Sequence, residues 1–212
     1  EFQQDGVKKG DISVSAATVS YNAFTGSHYA WSAANLAAGA LVSMTGENRR
    51  FGERGDAEVV YGIQETARPN DPACLGAKLG LMESSRAPGP ENPILVAAVG
   101  NGDLCVVDRG ADIQPGDALI SSDVPGCAMK DDPTRFPIGF VVARAGERVR
   151  WDAVPGNDGS PKRKNISVLF ESFVRSGAAD QLNRQGGEQR QEIDELKQRL
   201  VKLEAMLSHS SR

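Results

Sequence analysis

The chain has 212 residues, a hydrophobic content of 40% and a formal net charge of −4. This length is enough for one large domain, or for one ordinary domain with appended segments. Because acidic and basic residues are interspersed, we expect no general surface for nucleic acid or anionic membranes. No apolar run approaches the length of a membrane span, so we also expect no membrane insertion.

The N-terminal segment has the pattern of a thin, fibre-like β structure. Residues 10–22 read GDISVSAATVSYN, in which apolar residues alternate with serine and threonine on both sides of a phase shift at residues 16–17. This pattern predicts two short strands joined by a bend. Because a thin β stretch buries no core alone, we expect residues 1–24 to form a β stem that depends on neighbouring chains. Its abrupt start, without a signal peptide, predicts an upstream fibre in the same polypeptide.

Residues 25–152 are predicted to form a compact all-β body. The strongest strand patterns lie at residues 58–63 and 138–143, and a further strand is expected within residues 36–44. Residues 24–32 combine glycine and serine with histidine and aromatic residues, and this composition predicts a loop.

Turn residues divide the rest of the body into short strands. A hairpin is predicted where the apolar runs 94–99 and 104–107 flank Gly-Asn-Gly-Asp, because Asn-Gly favours a type I′ turn. The dipeptides Pro115-Gly116 and Pro125-Gly126 each predict a turn before a strand. The proline-rich stretch 68–93 is predicted to be mostly loop around a short piece at residues 78–82.

Cysteine and histidine usage argues against bound metal or structural disulfides. Cys74, Cys105 and Cys127 are odd in number and widely spaced, and none belongs to a Cys-x-x-Cys pair. We therefore predict free thiols that behave as small hydrophobic side chains. The chain has only two histidines, His28 and His209, so a multi-histidine metal site is not expected. We predict no cofactor.

Residues 153–187 are predicted to contain a loop, a strand and a linker. The loop carries three consecutive basic residues, 162–164, but no aromatic residues accompany them for stacking on a polyanion. A solvated loop is therefore favoured over a polyanion site. Residues 166–174 follow as a strand or as the start of a stem, and Gly186-Gly187 then separates the body from the last segment.

Residues 188–212 have the apolar spacing of a short coiled-coil helix. Its a and d positions are apolar and comprise Ile193, Leu196, Leu200, Leu203 and Leu207. In this register Arg199 falls at g and Glu204 at the following e, which is the pairing that links parallel neighbours. About three heptads are marginal as an isolated helix, so we expect a homotrimer. The alternative is an amphipathic helix that packs against its own domain.

The motifs resemble those of C-terminal intramolecular chaperone domains of bacteriophage tail fibres and tailspikes. Residues 10–22 resemble the stretch that precedes the self-cleavage site in the endosialidase type, although the Ser-Asp of that site is absent here. Residues 23–29 (AFTGSHY) and 116–129 (GDALISSDVPGCAM) are instead similar to blocks of a sister group of self-cleaving tail domains. The resemblance covers most of residues 10–145.

This resemblance implies a homotrimer that nucleates folding of the upstream fibre and, in many members, then cleaves itself. It also implies synthesis in the host cytoplasm and a location in the virion tail.

Thr25 occupies the place of the family's nucleophilic serine, Ser27 is a second hydroxyl candidate, and His28 is the natural base. Gly26 replaces the acidic neighbour of that serine. Enzymatic activity is therefore expected to be at most single-turnover autoproteolysis. Alternatively, His28 satisfies loop carbonyls and Thr25 caps a turn.

The leading hypothesis is a trimerisation and folding-chaperone domain that cleaves itself near residues 22–28. A second hypothesis is a permanent receptor-binding tip, which would use loops at residues 67–93 and 156–164 to bind a host cell-surface glycan. A third is a trimeric bacterial surface adhesin module. A glycan-cleaving enzyme is disfavoured because no pair of carboxylates stands out at the spacing that glycoside hydrolysis needs.

Overall fold

The structure is a computed structural model of the chain. It describes residues 2–4, 7–15, 18–22, 25–51, 58–89, 92–156, 159–177 and 189–199. The chain is mainly β, as predicted. Its contacts divide it into two units, one formed by residues 1–132 and 139–175 and the other by residues 133–138 and 176–212.

The N-terminal strands form a small antiparallel sheet of their own. It contains β1 (Phe2–Gln4), β2 (Val7–Ser15) and β3 (Thr18–Asn22), with β2 in the middle. Strands β2 and β3 pair from Asp11 opposite Asn22 to Ser15 opposite Thr18. The two strands predicted from the alternation are therefore confirmed, while the predicted bend at residues 16–17 lies outside the described residues.

The body is a second sheet of ten strands. Its strands are β4 (Thr25–Trp31), β5 (Leu41–Met44), β6 (Arg49–Phe51), β7 (Glu58–Glu65), β8 (Cys74–Leu81), β9 (Ile94–Val107), β10 (Ala118–Ser121), β11 (Ala128–Lys130), β12 (Ile138–Ala145) and β13 (Arg163–Ser176). The strands predicted at residues 58–63, 138–143 and 166–174 are confirmed within β7, β12 and β13.

The long strand β9 belongs to two closed rings of strands. The first ring runs β9–β4–β7–β5–β8 and returns to β9, and the second runs β9–β13–β12–β10–β11 and returns to β9. Residues 94–97 of β9 pair with β4 on one side and β8 on the other, whereas residues 99–107 pair with β13. Strand β11 joins β9 in parallel at Val106. One strand thus supplies backbone partners to both halves of the body.

The predicted hairpin at residues 94–107 is wrong, because β9 is continuous through Asn101-Gly102. Asn101 lies opposite Leu169 and Gly102 opposite Val168, so β13 provides the backbone partners that a local turn would have provided. Gly100 has a positive φ of 93°, which bends the strand without ending it. Pairing with a distant strand here overrides a local turn preference.

Two predicted loops are also corrected to strands. Residues 24–32 include β4, which pairs with β9 from Thr25 to Ala30 and contacts β7 beyond that point. The stretch 68–93 contains the eight-residue strand β8 rather than a short piece at residues 78–82. In contrast, only Leu41–Met44 of the predicted 36–44 segment is a strand. Neighbours on both sides supply the hydrogen bonds that these weak strand-forming sequences lack in isolation.

Both predicted Pro-Gly turns are confirmed. Gly116 and Gly126 have positive φ values of 88° and 71°, as the third residue of such a turn requires. The Asp117 N–H donates to the Gln114 carbonyl at 3.0 Å, and the Cys127 N–H donates to the Val124 carbonyl at 3.1 Å. Strands β10 and β11 follow directly.

Buried apolar side chains form two clusters. The larger cluster includes Leu104, Leu119, Ile166, Phe170 and Trp151. The smaller cluster contains Ala30, Leu36, Val42, Ile63, Ile94 and Val96. Trp151 begins a short 3₁₀ turn, Trp151–Ala153, and its indole N–H donates to the Ala111 carbonyl at 2.9 Å.

In the second unit, residues 189–199 form an α-helix, α1.

Candidate functional site

The residues predicted to take part in self-cleavage lie on β4, between β9 and β7. The backbone of Thr25 pairs with Gly100, and Ser27 pairs with Ala97 after an irregularity in register between Gly26 and Ser27. The Thr25 side chain lies outside the described part of the structure. Backbone pairing with β9 holds this segment more firmly than the predicted loop would, and β7 pairs with β4 only further along, at Ala30 and Trp31.

Within one chain, β4 does not bring Ser27 and His28 together. Both side chains are exposed, and successive side chains of a strand point to opposite faces of the sheet. The imidazole of His28 instead lies edge-on against the ring of Tyr61, with 5.7 Å between ring centroids and an interplanar angle of 86°. A proton transfer from Ser27 to His28 would therefore need a rearrangement or a neighbouring chain.

A cleft of about 210 Å³ opens at the end of β4, beside β6 and the loop before β9. Trp31 forms part of its wall and donates its indole N–H to the Glu47 carbonyl at 2.8 Å. The guanidinium of Arg49 lies over the Trp31 ring, 3.3 Å from the centroid. Arg50 also lines the cleft. Arg49 covers one face of the Trp31 ring, so the cleft offers guanidinium donors beside an aromatic wall, a lining that suits a small polar ligand.

The buried side chain of Asn92 shapes the loop that borders this cleft. Its amide nitrogen donates to the carbonyls of Glu83, Arg86 and Ala87 at 2.9, 3.0 and 3.2 Å. Its amide oxygen accepts the Glu83 N–H at 2.7 Å. These bonds hold the backbone of Glu83, Arg86 and Ala87 against Asn92, which itself lines the cleft. The sequence predicted a receptor-binding loop here but gave no signal that singled out Asn92.

A buried polar cluster, which no sequence motif revealed, fixes the segment before β8. The Ser43 hydroxyl donates to Asp71 Oδ2 at 2.7 Å and lies 2.6 Å from the Thr66 hydroxyl. The Cys74 thiol lies 3.7 Å from Ser43 Oγ, and burial raises the pKa of this thiol. The hydroxyl of Ser121 accepts the Asp71 N–H at 2.6 Å. Because Ser43 is 3% exposed, the cluster orders the segment and presents no reactive hydroxyl to solvent.

The polar residues of the 116–129 motif hold its turns in place. Ser122 is fully buried, donates to the Cys127 carbonyl at 2.8 Å and accepts the Val124 N–H at 3.1 Å. Asp117 accepts the Gln114 N–H at 2.7 Å and pairs with Lys130 at 2.7 Å. These contacts give the motif a conformational role in this chain.

The described part of the predicted coiled coil carries exposed apolar side chains. Ile193 and Leu196 on α1 are 49% and 56% exposed, and Arg199 is also exposed. The remaining predicted trimerisation residues lie outside the described residues, and they are Leu200, Leu203, Glu204 and Leu207.

Among the described residues, no group of three or more His, Cys, Asp or Glu side chains is arranged to hold a metal ion. In the same part of the chain, no helix combines the length and apolar character needed to cross a membrane. Comparison with known proteins finds no matching protein-family model and no matching curated protein.

Proposed function

We propose that this chain is the C-terminal trimerisation and folding-chaperone domain of a phage tail fibre or tailspike. The observation that carries the proposal is the exposure of Ile193 and Leu196 on α1, at 49% and 56%. Residues three apart lie on one face of a helix, so the two side chains form an apolar stripe. A helix of this length is marginal in isolation and gains stability when such a stripe is buried against copies of itself.

The outer face of the body offers a second apolar contact. Val99 on β9 and Leu169 on β13 are 53% and 45% exposed. Leu169 lies opposite Asn101, two residues from Val99, so the two apolar side chains are diagonal neighbours on one face. Exposed apolar pairs on adjacent strands support burial in an assembly, because covering the exposed half of each side chain would gain roughly 1 kcal/mol.

A trimerising C-terminal domain suits an upstream β fibre for a physical reason. Intertwined β fibres depend on contacts between distant residues and have exposed strand edges until they are complete. When the ends of the three chains associate first, registration of the fibre becomes a local event at high effective concentration. The small sheet of β1–β3 is then the place where fibre and body meet along the chain.

Sedimentation equilibrium of the whole chain at micromolar concentration tests the assembly. We expect a trimer, and a monomer would overturn the proposal. Removing residues 188–212 should weaken association while the near-ultraviolet circular dichroism of the body is retained. Chaperone function is tested separately with a longer version that carries upstream fibre residues. The same deletion should there lower the yield of detergent-resistant fibre trimers.

The cleft beside Trp31 favours a second candidate function, a permanent receptor-binding tip. The guanidinium groups of Arg49 and Arg50 beside Trp31 in the cleft wall support recognition of the hydroxyl or carboxylate groups of a host cell-surface glycan. A glycan array screened with the whole chain tests this function. Trp31→Ala should abolish any binding, whereas Arg148→Ala, an exposed site away from the cleft, should leave binding unchanged. Binding that is unaffected by Trp31→Ala would exclude the cleft.

A further inference from the structure

Two cysteines that are far apart in sequence come together where the two strand rings meet. Cys105 on β9 and Cys127, just before β11, have their sulfur atoms 2.9 Å apart. All three cysteines are free thiols in the structure. The sulfur separation is about 0.9 Å longer than a disulfide bond, so only a small movement is needed to form one.

The backbone around the pair has the spacing that a disulfide requires. Ala128 pairs with Val106 across parallel strands, and the two cysteines each precede one of these residues. Paired strands lie about 4.8 Å apart, within the Cα separation of about 4.4–6.8 Å that disulfides span. The pair can therefore close without unfolding either strand.

Hydrogen bonds on both sides hold the two cysteines in this position. The Cys105 N–H donates to the Gly39 carbonyl at 2.9 Å, and the Leu41 N–H donates to the Gly126 carbonyl at 2.8 Å. One short segment, residues 39–41, thus bridges the strand that carries Cys105 and the turn that carries Cys127. This shared support keeps the thiols adjacent.

The two thiols differ in access and in acidity. Cys105 is half-buried, whereas Cys127 is 1% exposed. A hydrogen bond from Cys127 lowers the pKa of Cys105, while the neighbouring Cys105 and burial raise the pKa of Cys127. Cys105 is therefore the thiol that ionises first and that solvent reaches more easily.

We propose that Cys105 and Cys127 form a redox-active dithiol that closes to an intrachain disulfide by exchange with a small disulfide such as oxidised glutathione. The Cys105 thiolate attacks one glutathione sulfur, which breaks the glutathione disulfide and releases one glutathione thiolate. Cys127 then passes its proton to the departing glutathione sulfur as it attacks Cys105 Sγ, so the second glutathione leaves as a thiol. Two protein thiols are oxidised and one glutathione disulfide is reduced to two thiols.

The resulting bond would tie β9 covalently to the turn before β11, at the point where the second ring returns to β9. It would span 22 residues of sequence and restrict the unfolded chain. From the usual effect of a loop of this size, we expect a rise in Tm of roughly 5–10 °C on oxidation. Cys74, which lies among the hydroxyls of Ser43 and Thr66, should stay reduced.

The experiment incubates the folded wild-type chain with oxidised glutathione, alkylates the remaining thiols and maps tryptic peptides by mass. We expect peptide 87–109 linked to peptide 110–130, a mass loss of about 2 Da before digestion, and an alkylated Cys74. A fully alkylated chain, or oxidation seen only in denaturant, would overturn the proposal. Cys127→Ala should instead retain a glutathione adduct on Cys105. The peptide map of the wild-type chain decides the proposal by itself, so the test does not depend on whether the Cys127→Ala variant folds.

Discussion

The ring of Phe170 on β13 covers Gly102 on β9 so closely that a Cβ atom at Gly102 would lie 2.7 Å from Phe170 Cε2. Phe170 is 1% exposed and belongs to the larger apolar cluster. Glycine is therefore needed at position 102 for packing, although its position after Asn101 is typical of a turn. Strand β9 continues at this glycine because β13 pairs with its backbone, although the local sequence predicts a hairpin.

Replacement of this glycine should destabilise the body. In Gly102→Ala the new methyl group must displace the buried Phe170 ring, and overpacking of this kind costs about 1–3 kcal/mol in the free energy of unfolding. Urea denaturation followed by tryptophan fluorescence measures the change. Gly80→Ala on β8 is the matched control, because a Cβ at Gly80 meets nothing within 4 Å. Equal losses in the two variants would contradict the packing argument.

The buried ion pair between Asp131 and Arg175 should contribute more than an exposed one. Arg175 Nε lies 2.5 Å from Asp131 Oδ2, and a second contact of 3.1 Å joins Arg175 to Oδ1. The Asp131 carboxylate is 4% exposed and the Arg175 guanidinium is largely buried, so both charges are desolvated. Asp131→Ala takes this carboxylate away from the guanidinium and should lower the free energy of unfolding by about 3–5 kcal/mol. Asp152→Ala removes the exposed partner of Arg150 and should cost less than about 1 kcal/mol. Thermal unfolding that ranks them the other way would refute this assignment.

Assembly should depend on which face of α1 receives a charge. Leu196→Asp places a carboxylate at a d position of every helix, where desolvation without a partner costs several kcal/mol. Gln198→Asp adds the same charge at the outer f position and should leave association unchanged. Sedimentation equilibrium distinguishes them, with dissociation expected at micromolar concentration for Leu196→Asp alone. If both variants remain trimeric, α1 does not hold the assembly together.

Self-cleavage, if it accompanies the proposed function, should fall between Asn22 and His28 of a longer version that carries the upstream fibre. Since Ser27 and His28 lie on opposite faces of β4, we expect cleavage only in the trimer, where another chain supplies the missing group. Thr25→Ala or His28→Ala should block the cut and leave trimers intact.

Tyr61→Phe is the control for that experiment, because it keeps the ring against His28 and removes only a hydroxyl. N-terminal sequencing of the released piece locates the cut. A new terminus far outside residues 23–28, or undiminished cleavage in both mutants, would remove these residues from the mechanism.

The sequence by itself determined the mainly β class, the strands at β7, β12 and β13, and the turns at Gly116 and Gly126. These features depend on interactions within a few residues, namely alternation of apolar side chains and the φ values that proline and glycine favour.

Only the tertiary structure decided that Asn101-Gly102 runs through a strand, that His28 lies against Tyr61, and that the thiols of Cys105 and Cys127 meet. In each case the partner is distant in sequence, and pairing with it supplies hydrogen bonds or buried contacts that outweigh the local preference. Alternation and turn chemistry do not specify which distant strands become neighbours, because many pairings bury the same apolar residues.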